Sequence, residues 1–444
     1  MAESRSTFIG LLFVLALAQA VSIRAQVTDS LRAETDSTSA VEMVLRDAIL
    51  LDSIGAVRLG PSGLNKDWPF ISLINTLPLE LLFDDLRNDY TEFRYDIIHC
   101  DRNWVSTGQQ LNDYYSGFPA QVIEDVSFSS ATKKGYATYR LVFPPPDENF
   151  IQSGNYILQV YETGSGTVVM RRRFVVIDPQ VNVKAEVIPP VETRFRKYKQ
   201  ELKFKILDGK GLINDMNALF VVALKNNNWD LSCSNFKPSF ISGSEIVFEN
   251  NQNCLFDGGN EYRDVNFINF KTLSMDITTV RPARHASYDL YMEDDHPRSY
   301  LQYSYTKDMN GAMDLKGQQK TYVWTEQDYA ILHFSLKTDE AMLGYEIFLN
   351  GDLCKGRADS LCKMEFNVEK GKYEQQVLLK QGYYNYQYVV RSPYQEGPDE
   401  TLIEGNHFET ENDYTLLIYF RSALEGYDMM IGMEQINSTK KLDE

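Results

Sequence analysis

From about residue 49 to 432 the chain is a succession of short segments rich in Tyr, Phe, Val, Ile and Leu, each cut off by Gly, Pro, Asn or Asp. Segments this short cannot carry a helical stripe, but they suit strands, because flat and β-branched side chains pack on a pleated surface. Pro69–Leu73, Phe93–Cys100, Tyr136–Phe143, Tyr156–Tyr161 and Arg173–Ile177 are the first such segments. In one of them Tyr156, Leu158 and Val160 alternate with Ile157, Gln159 and Tyr161, giving one apolar and one mixed face. Further along, Tyr329–Leu336, Tyr345–Leu349, Tyr373–Leu379, Tyr383–Val390 and Tyr414–Phe420 repeat the pattern. Asn350-Gly351 after Glu346–Leu349 is a hairpin signal, since both residues accept positive φ. The fold class predicted is all-β, with tandem antiparallel β-sandwich domains of Ig-like type. Helical periodicity is confined to a weak pattern at Val41–Leu51.

Punctuation divides the chain. Arg5 followed by an apolar run from Phe8 to Ala18 and small-residue cleavage sites predicts a signal peptide at 1–25. The apolar run is too short for a membrane span, and no cysteine follows it for lipid attachment. No direct membrane insertion is therefore expected. Residues 26–48 are too polar to offset the entropy of ordering and read as a flexible leader. Asp178-Pro179 ends a first sandwich at 49–178, since proline removes a ladder donor. A second follows at 179–306, with a last strand at 298–306 whose parent is ambiguous, and a third at 307–432. Residues 433–444 read as a loose tail.

A net charge of −18 makes nucleic acid a poor partner. Five cysteines in an exported chain permit two disulfides. Cys354 with Cys362, flanking a turn-like stretch, and Cys233 with Cys254 are the local pairings, against the alternative of buried free thiols; Cys100 is left over.

Catalytic constellations do not assemble. In His99-Cys100-Asp101, neighbouring residues of a strand point to opposite faces, so His99 cannot deprotonate Cys100. Asp294-Asp295-His296 lacks the spacing of a calcium loop and reads as a solvated turn. His333 alternates with Ile331 on a strand face, as a core or rim residue would. Nucleophile elbows, phosphate loops and zinc motifs do not occur. No catalytic residue, metal ligand or cofactor is expected, and the chain reads as a non-enzyme. Arg171, Arg172, Arg173, Arg194 and Arg196 stand out in an acidic chain as a candidate docking stripe, or else as strand-edge arginines paired locally.

An ordered series runs through the chain. Phe83-Asp84-Asp85-Leu86, Tyr95-Asp96-Ile97-Ile98-His99-Cys100-Asp101 with Trp104, Gly117-Phe118, Phe143-Pro144, Ser153-Gly154-Asn155-Tyr156, Arg172-Arg173-Phe174 and Gln200 come first. Gln381-Gly382-Tyr383-Tyr384-Asn385-Tyr386, Glu404-Gly405-Asn406-His407-Phe408-Glu409-Thr410 and Tyr427-Asp428 complete it. The series resembles the plug protein family of the type IX secretion system of Bacteroidota, from about residue 50 to 432 and most weakly in the middle unit. The resemblance implies a periplasmic protein, held at the outer membrane by a protein partner, that seals the periplasmic mouth of a large outer-membrane β-barrel translocon. The competing reading is a carbohydrate-binding multi-sandwich protein whose Trp68, Trp104, Trp229 and Trp324 stack on sugars.

Overall fold

In the computed structural model, all described strands fall into six sheets, and the reason lies in how the apolar faces are covered. The described residues are 43–444 without 65–66, 75–76, 317–322, 339, 395–396 and 440–444. The expected signal peptide and most of the expected leader lie outside them.

The first sandwich pairs two sheets. One runs Ala48–Ile49, Val168–Ile177, Gly154–Glu162, Phe93–Cys100 and Gln121–Val122 in that order, with Phe70–Ser72 added in parallel to Val168–Ile177. The other runs Ile54–Pro61, Leu79–Asp85, Ala137–Phe143 and Asp125–Phe128. Their inner faces share a core that includes Phe83, Phe93, Tyr139, Tyr156 and Phe174. The second sandwich sets Asn182–Ile188, Lys199–Leu207, Glu245–Phe248, Phe240–Ser242 and Leu255–Asp257 against Asn228–Cys233, Leu219–Lys225, Asp413–Phe420 and Met429–Asn437. In the third, Arg263–Asn266, Met313–Asp314 and Glu346–Asn350 all pair with Tyr383–Arg391. Opposite them lies the sheet Ile277–Pro282, Tyr288–Met292, Tyr329–Lys337, Lys372–Lys380 and Glu365–Asn367.

The second and third sandwiches do not follow one another along the chain. Leu219–Lys225 pairs with Asp413–Phe420 over its whole length, so the second sandwich closes only after the third has been threaded between its strands. The division at 306/307 therefore cuts through the third sandwich, whose first strand is Arg263–Asn266. Residues 298–306 form no strand; they cross between the sandwiches, with Arg298 bonded to Glu404 and Tyr303 donating to Glu261 at 2.5 Å. Pairing is antiparallel except that Phe70–Ser72 and the pair Tyr288–Met292 with Tyr329–Lys337 run parallel. Among the described residues, parts of the expected leader and tail are ordered: Leu45 is buried, Ala48–Ile49 is a strand within the weak helical pattern of Val41–Leu51, and Met429–Asn437 extends into the expected tail.

Leu45–Glu444 is one compact unit. The first sandwich is covered on both outer faces. Cys100, Ile157, Val175 and Ile177 on one outer face share a core with Val222, Leu417, Tyr419 and Met430 of the second sandwich. Ala56, Leu82 and Tyr136 on the other join the core of the third. This is why Ile54–Pro61 and Leu79–Asp85 are buried at every residue instead of at alternate ones.

Cys233–Cys254 and Cys354–Cys362 are disulfides, and Cys100 is a buried free thiol. Cys354 and Cys362 are 8 residues apart, so their bridge should stabilise the protein by about 2.5 kcal/mol through loop entropy. Cys354→Ser with Cys362→Ser should lower the denaturation midpoint accordingly, and an unchanged midpoint would show that the bridge carries nothing.

Candidate functional site

The chemistry-bearing side chains of this chain gather at the joints between sandwiches. At the joint of the first and third, two cross-strand pairs meet: Asp84 opposite Thr138, and Lys380 opposite Tyr329. Lys380 Nζ lies 2.6 Å from Asp84 Oδ2, and both side chains are 0 % exposed. Trp324 Nε1 and Thr138 Oγ1 each donate to Asp84 Oδ1 at 2.7 Å, and the Tyr329 hydroxyl donates to Oδ2 at 2.6 Å. Tyr136 and Trp324 rings lie 4.2 and 4.4 Å from the ammonium, which gives it a π partner where water is excluded. Burial pulls Lys380 down to about 8, against the opposing attraction of Asp84. Four donors on one carboxylate leave no lone-pair direction free for a substrate.

The first and second sandwiches are held differently. Arg173 is buried, donates to the Leu45 carbonyl oxygen at 2.7 Å, and lies 4.5 Å from the Trp104 ring and 5.5 Å from that of Trp229. Arg102 pairs with buried Asp428 at 3.2 Å and lies over Phe220 at 3.7 Å. The Tyr419 hydroxyl donates to Asn155 Oδ1 at 2.8 Å.

Between the second and third, Lys225 pairs with Glu400, and Glu404 accepts from Arg263 and Arg298 at 3.0 and 2.7 Å. Burial pushes the Glu404 carboxyl up, but the two guanidiniums outweigh it and hold it below the usual range. Asp295, read as part of a solvated turn, accepts from Arg263 Nη1 at 2.6 Å and from the hydroxyls of Tyr386 and Tyr388 at 2.9 and 2.7 Å.

The arginine stripe is not brought together. Arg172 and Arg173 are 3 % and 8 % exposed and point into joints, because their strand is covered on both faces. Arg171 is half-buried and donates to Gln159. Arg194 and Arg196 are exposed in the second sandwich, where Arg194 pairs with Glu192 and Arg196 donates to the Pro190 carbonyl oxygen. His99 and Cys100 are not a catalytic pair: burial pushes the Cys100 thiol up to about 12 and holds the His99 imidazole down to about 4. His333 pairs with Asp289 at 2.9 Å and stacks on Tyr291. Trp104 and Trp324 are buried and Trp68 and Trp229 half-buried, so none is an exposed platform for a sugar. Among the described residues no three His, Cys, Asp or Glu side chains are placed to hold a metal ion, and no helix is long and apolar enough to cross a membrane.

Sequence reasoning missed the roles of Asp84 and Lys380. The available signal was a charge inside a run of apolar strand residues, in Leu81-Leu82-Phe83-Asp84 and in Val377-Leu378-Leu379-Lys380.

Comparison with known proteins places the first sandwich. The family described as type 9 secretion system plug protein 1st domain matches residues 54–178. A crystal structure of a hypothetical protein from Parabacteroides merdae superposes with a TM-score of 0.85 at 28% identity, over 89% of this chain and 100% of that one. The C-terminal domain of a Streptococcus pyogenes antigen I/II-family protein reaches 8% identity over 88% of this chain and 99% of its own, with a TM-score of 0.15, and carries no argument. No curated protein matches the chain.

Proposed function

We propose, because residues 54–178 match the first-domain family of type 9 secretion system plug proteins, that this chain is a non-enzymatic periplasmic plug. It docks on the periplasmic mouth of the large outer-membrane β-barrel translocon and seals it when no substrate is engaged. The family match is the observation that carries the reading. The covered faces of the matched domain give it a physical form: a stopper for a wide pore must resist deformation, and interlocked sandwiches with buried ion pairs at their joints do so. With both faces of the first sandwich occupied, the barrel is met by strand edges, loops or the outer faces of the other two. Release on arrival of cargo then follows from differential affinity for the empty and engaged barrel.

Affinity purification of the tagged chain from solubilised outer membranes should recover one very large barrel protein. Deletion of the gene should make the outer membrane permeable to bulky antibiotics. A deletion strain as impermeable as its parent, with the barrel still expressed, would refute the sealing role.

A further inference from the structure

The Lys380–Asp84 pair differs from Lys225–Glu400, which is also buried, in how its ammonium is held. Lys225 donates to Glu400 and to the carbonyl oxygens of Asp257 and Gly258, so it is satisfied as a cation. Lys380 has three N–H groups and, among the described residues, the Asp84 carboxylate as its sole acceptor; the rings of Tyr136 and Trp324 cover it elsewhere. A cation short of acceptors at a dry site tends to hand a proton to the carboxylate 2.6 Å away, leaving a neutral amine beside a neutral acid. Burial, which lowers the Lys380 ammonium to about 8, acts in the same direction.

The surroundings fit the next step, attack of the amine on the acid carbon. Oδ2 is bonded to Cγ, so Nζ at 2.6 Å from Oδ2 is near the approach distance to Cγ of about 3–3.5 Å. Asp84 Oδ1, where negative charge develops during attack, already accepts from Trp324 Nε1 and Thr138 Oγ1 at 2.7 Å, the arrangement of an oxyanion hole. Oδ2, the oxygen that has to leave, accepts from the Tyr329 hydroxyl at 2.6 Å, and the Ala56 N–H fixes that hydroxyl at 2.9 Å. Gly55 makes room for it, since a Cβ there would collide with the Tyr329 oxygen.

We infer that Lys380 and Asp84 condense into an amide that joins the first and third sandwiches covalently. The nitrogen lone pair forms the bond to Cγ, the Cγ–Oδ2 bond breaks, and Oδ2 leaves as water. Of the three ammonium hydrogens, one passes to Oδ2 directly, one reaches it through the Tyr329 hydroxyl, and one stays on the amide nitrogen; no oxidant or co-reactant is consumed. A cleft that Gly55, Ala56 and Lys380 line receives the water. With the partners held together and bulk water excluded, condensation is favoured over hydrolysis. The ion pair is the state first formed on folding, and the amide adds to it the closure of a loop between positions 296 residues apart. This bond is independent of the docking of the plug.

The test is the intact mass of the purified chain after denaturation and disulfide reduction, together with peptide mapping. Wild type should weigh one water less than its reduced sequence, and its digest should contain a branched peptide carrying both Asp84 and Lys380. Lys380→Met should have its full sequence mass. Tyr329→Phe, which keeps the ring, should condense at least about tenfold more slowly after a pulse of synthesis, because it removes the proton relay; an equal rate overturns the role of the tyrosine. A wild-type chain of full mass, with Asp84 and Lys380 recovered on separate peptides, overturns the bond itself, and so does a water loss that persists in Lys380→Met. The wild-type map decides the question even where a variant fails to fold.

Discussion

Asp84→Ala should lower folding stability by about 3–5 kcal/mol, the cost of leaving one partner of a buried ion pair unmatched. The Lys380 ammonium would remain at a site with 0 % exposure, and three further donors, Trp324 Nε1, Thr138 Oγ1 and the Tyr329 hydroxyl, would lose their acceptor together. Because Asp84 belongs to the first sandwich and Lys380 to the third, the joint should loosen before either core does. Denaturant titration measures the loss, and protease sensitivity between the two sandwiches locates it. Asp84→Leu combined with Lys380→Met should recover much of the stability, since a buried pair can be replaced by packed apolar groups with little penalty. A single-variant loss below about 1 kcal/mol, typical of an exposed pair, would show that water reaches the site.

Lowering the pH from 6.5 to 4 should remove about 3 kcal/mol of stability through His99 alone. The ring is 1 % exposed, stacked with Tyr114 at 5.5 Å and in edge contact with Tyr156 at 4.9 Å and Tyr427 at 5.6 Å. Burial holds its pKa down to about 4, and the attraction of Asp428 and Asp101 is too small to restore it. In the unfolded chain the ring titrates near its ordinary 6.5. Above 6.5 neither state is protonated and the full stability is present. Between 6.5 and 4 the unfolded state binds a proton that the folded state refuses, so stability falls with pH; below 4 this group costs nothing more. Unfolding free energies of wild type and His99→Asn across this window should converge as the pH drops. Parallel curves would mean that the imidazole is protonated in the fold.

Much of the architecture is legible in the residues, and the points of failure share a cause. The alternation in Tyr156–Tyr161 identifies a strand, and Tyr156, Leu158 and Val160 do face the sandwich core. Ile157 on the opposite face is equally buried, against the second sandwich. Alternation reports one covered face; it carries no information about a second sheet brought up from elsewhere. For the same reason Arg172 and Arg173 read as a stripe available for docking while both are buried in joints. The division at 306/307 fails because strand pairing is non-local: no local pattern near Leu219–Lys225 announces that its partner is Asp413–Phe420.

What the sequence by itself determined is the β class, most of the strands, the two local cysteine pairings to consider and a resemblance to the plug family that a family match over residues 54–178 also finds. All of these rest on short-range chemistry: side-chain shape on a pleat, cysteine spacing and residue order within segments. The hairpin expected at Asn350-Gly351 does not form: Glu346–Asn350 pairs with the distant Tyr383–Arg391, and a 3-10 turn at Asp352–Cys354 follows instead. Tertiary structure alone decided which sheets cover each other and where the charges end up. Asp84 and Lys380 are 296 residues apart. Each is an ordinary charged residue in its own strand until folding removes the water between two sandwiches, and only then does desolvation turn the pair into a buried tie between them.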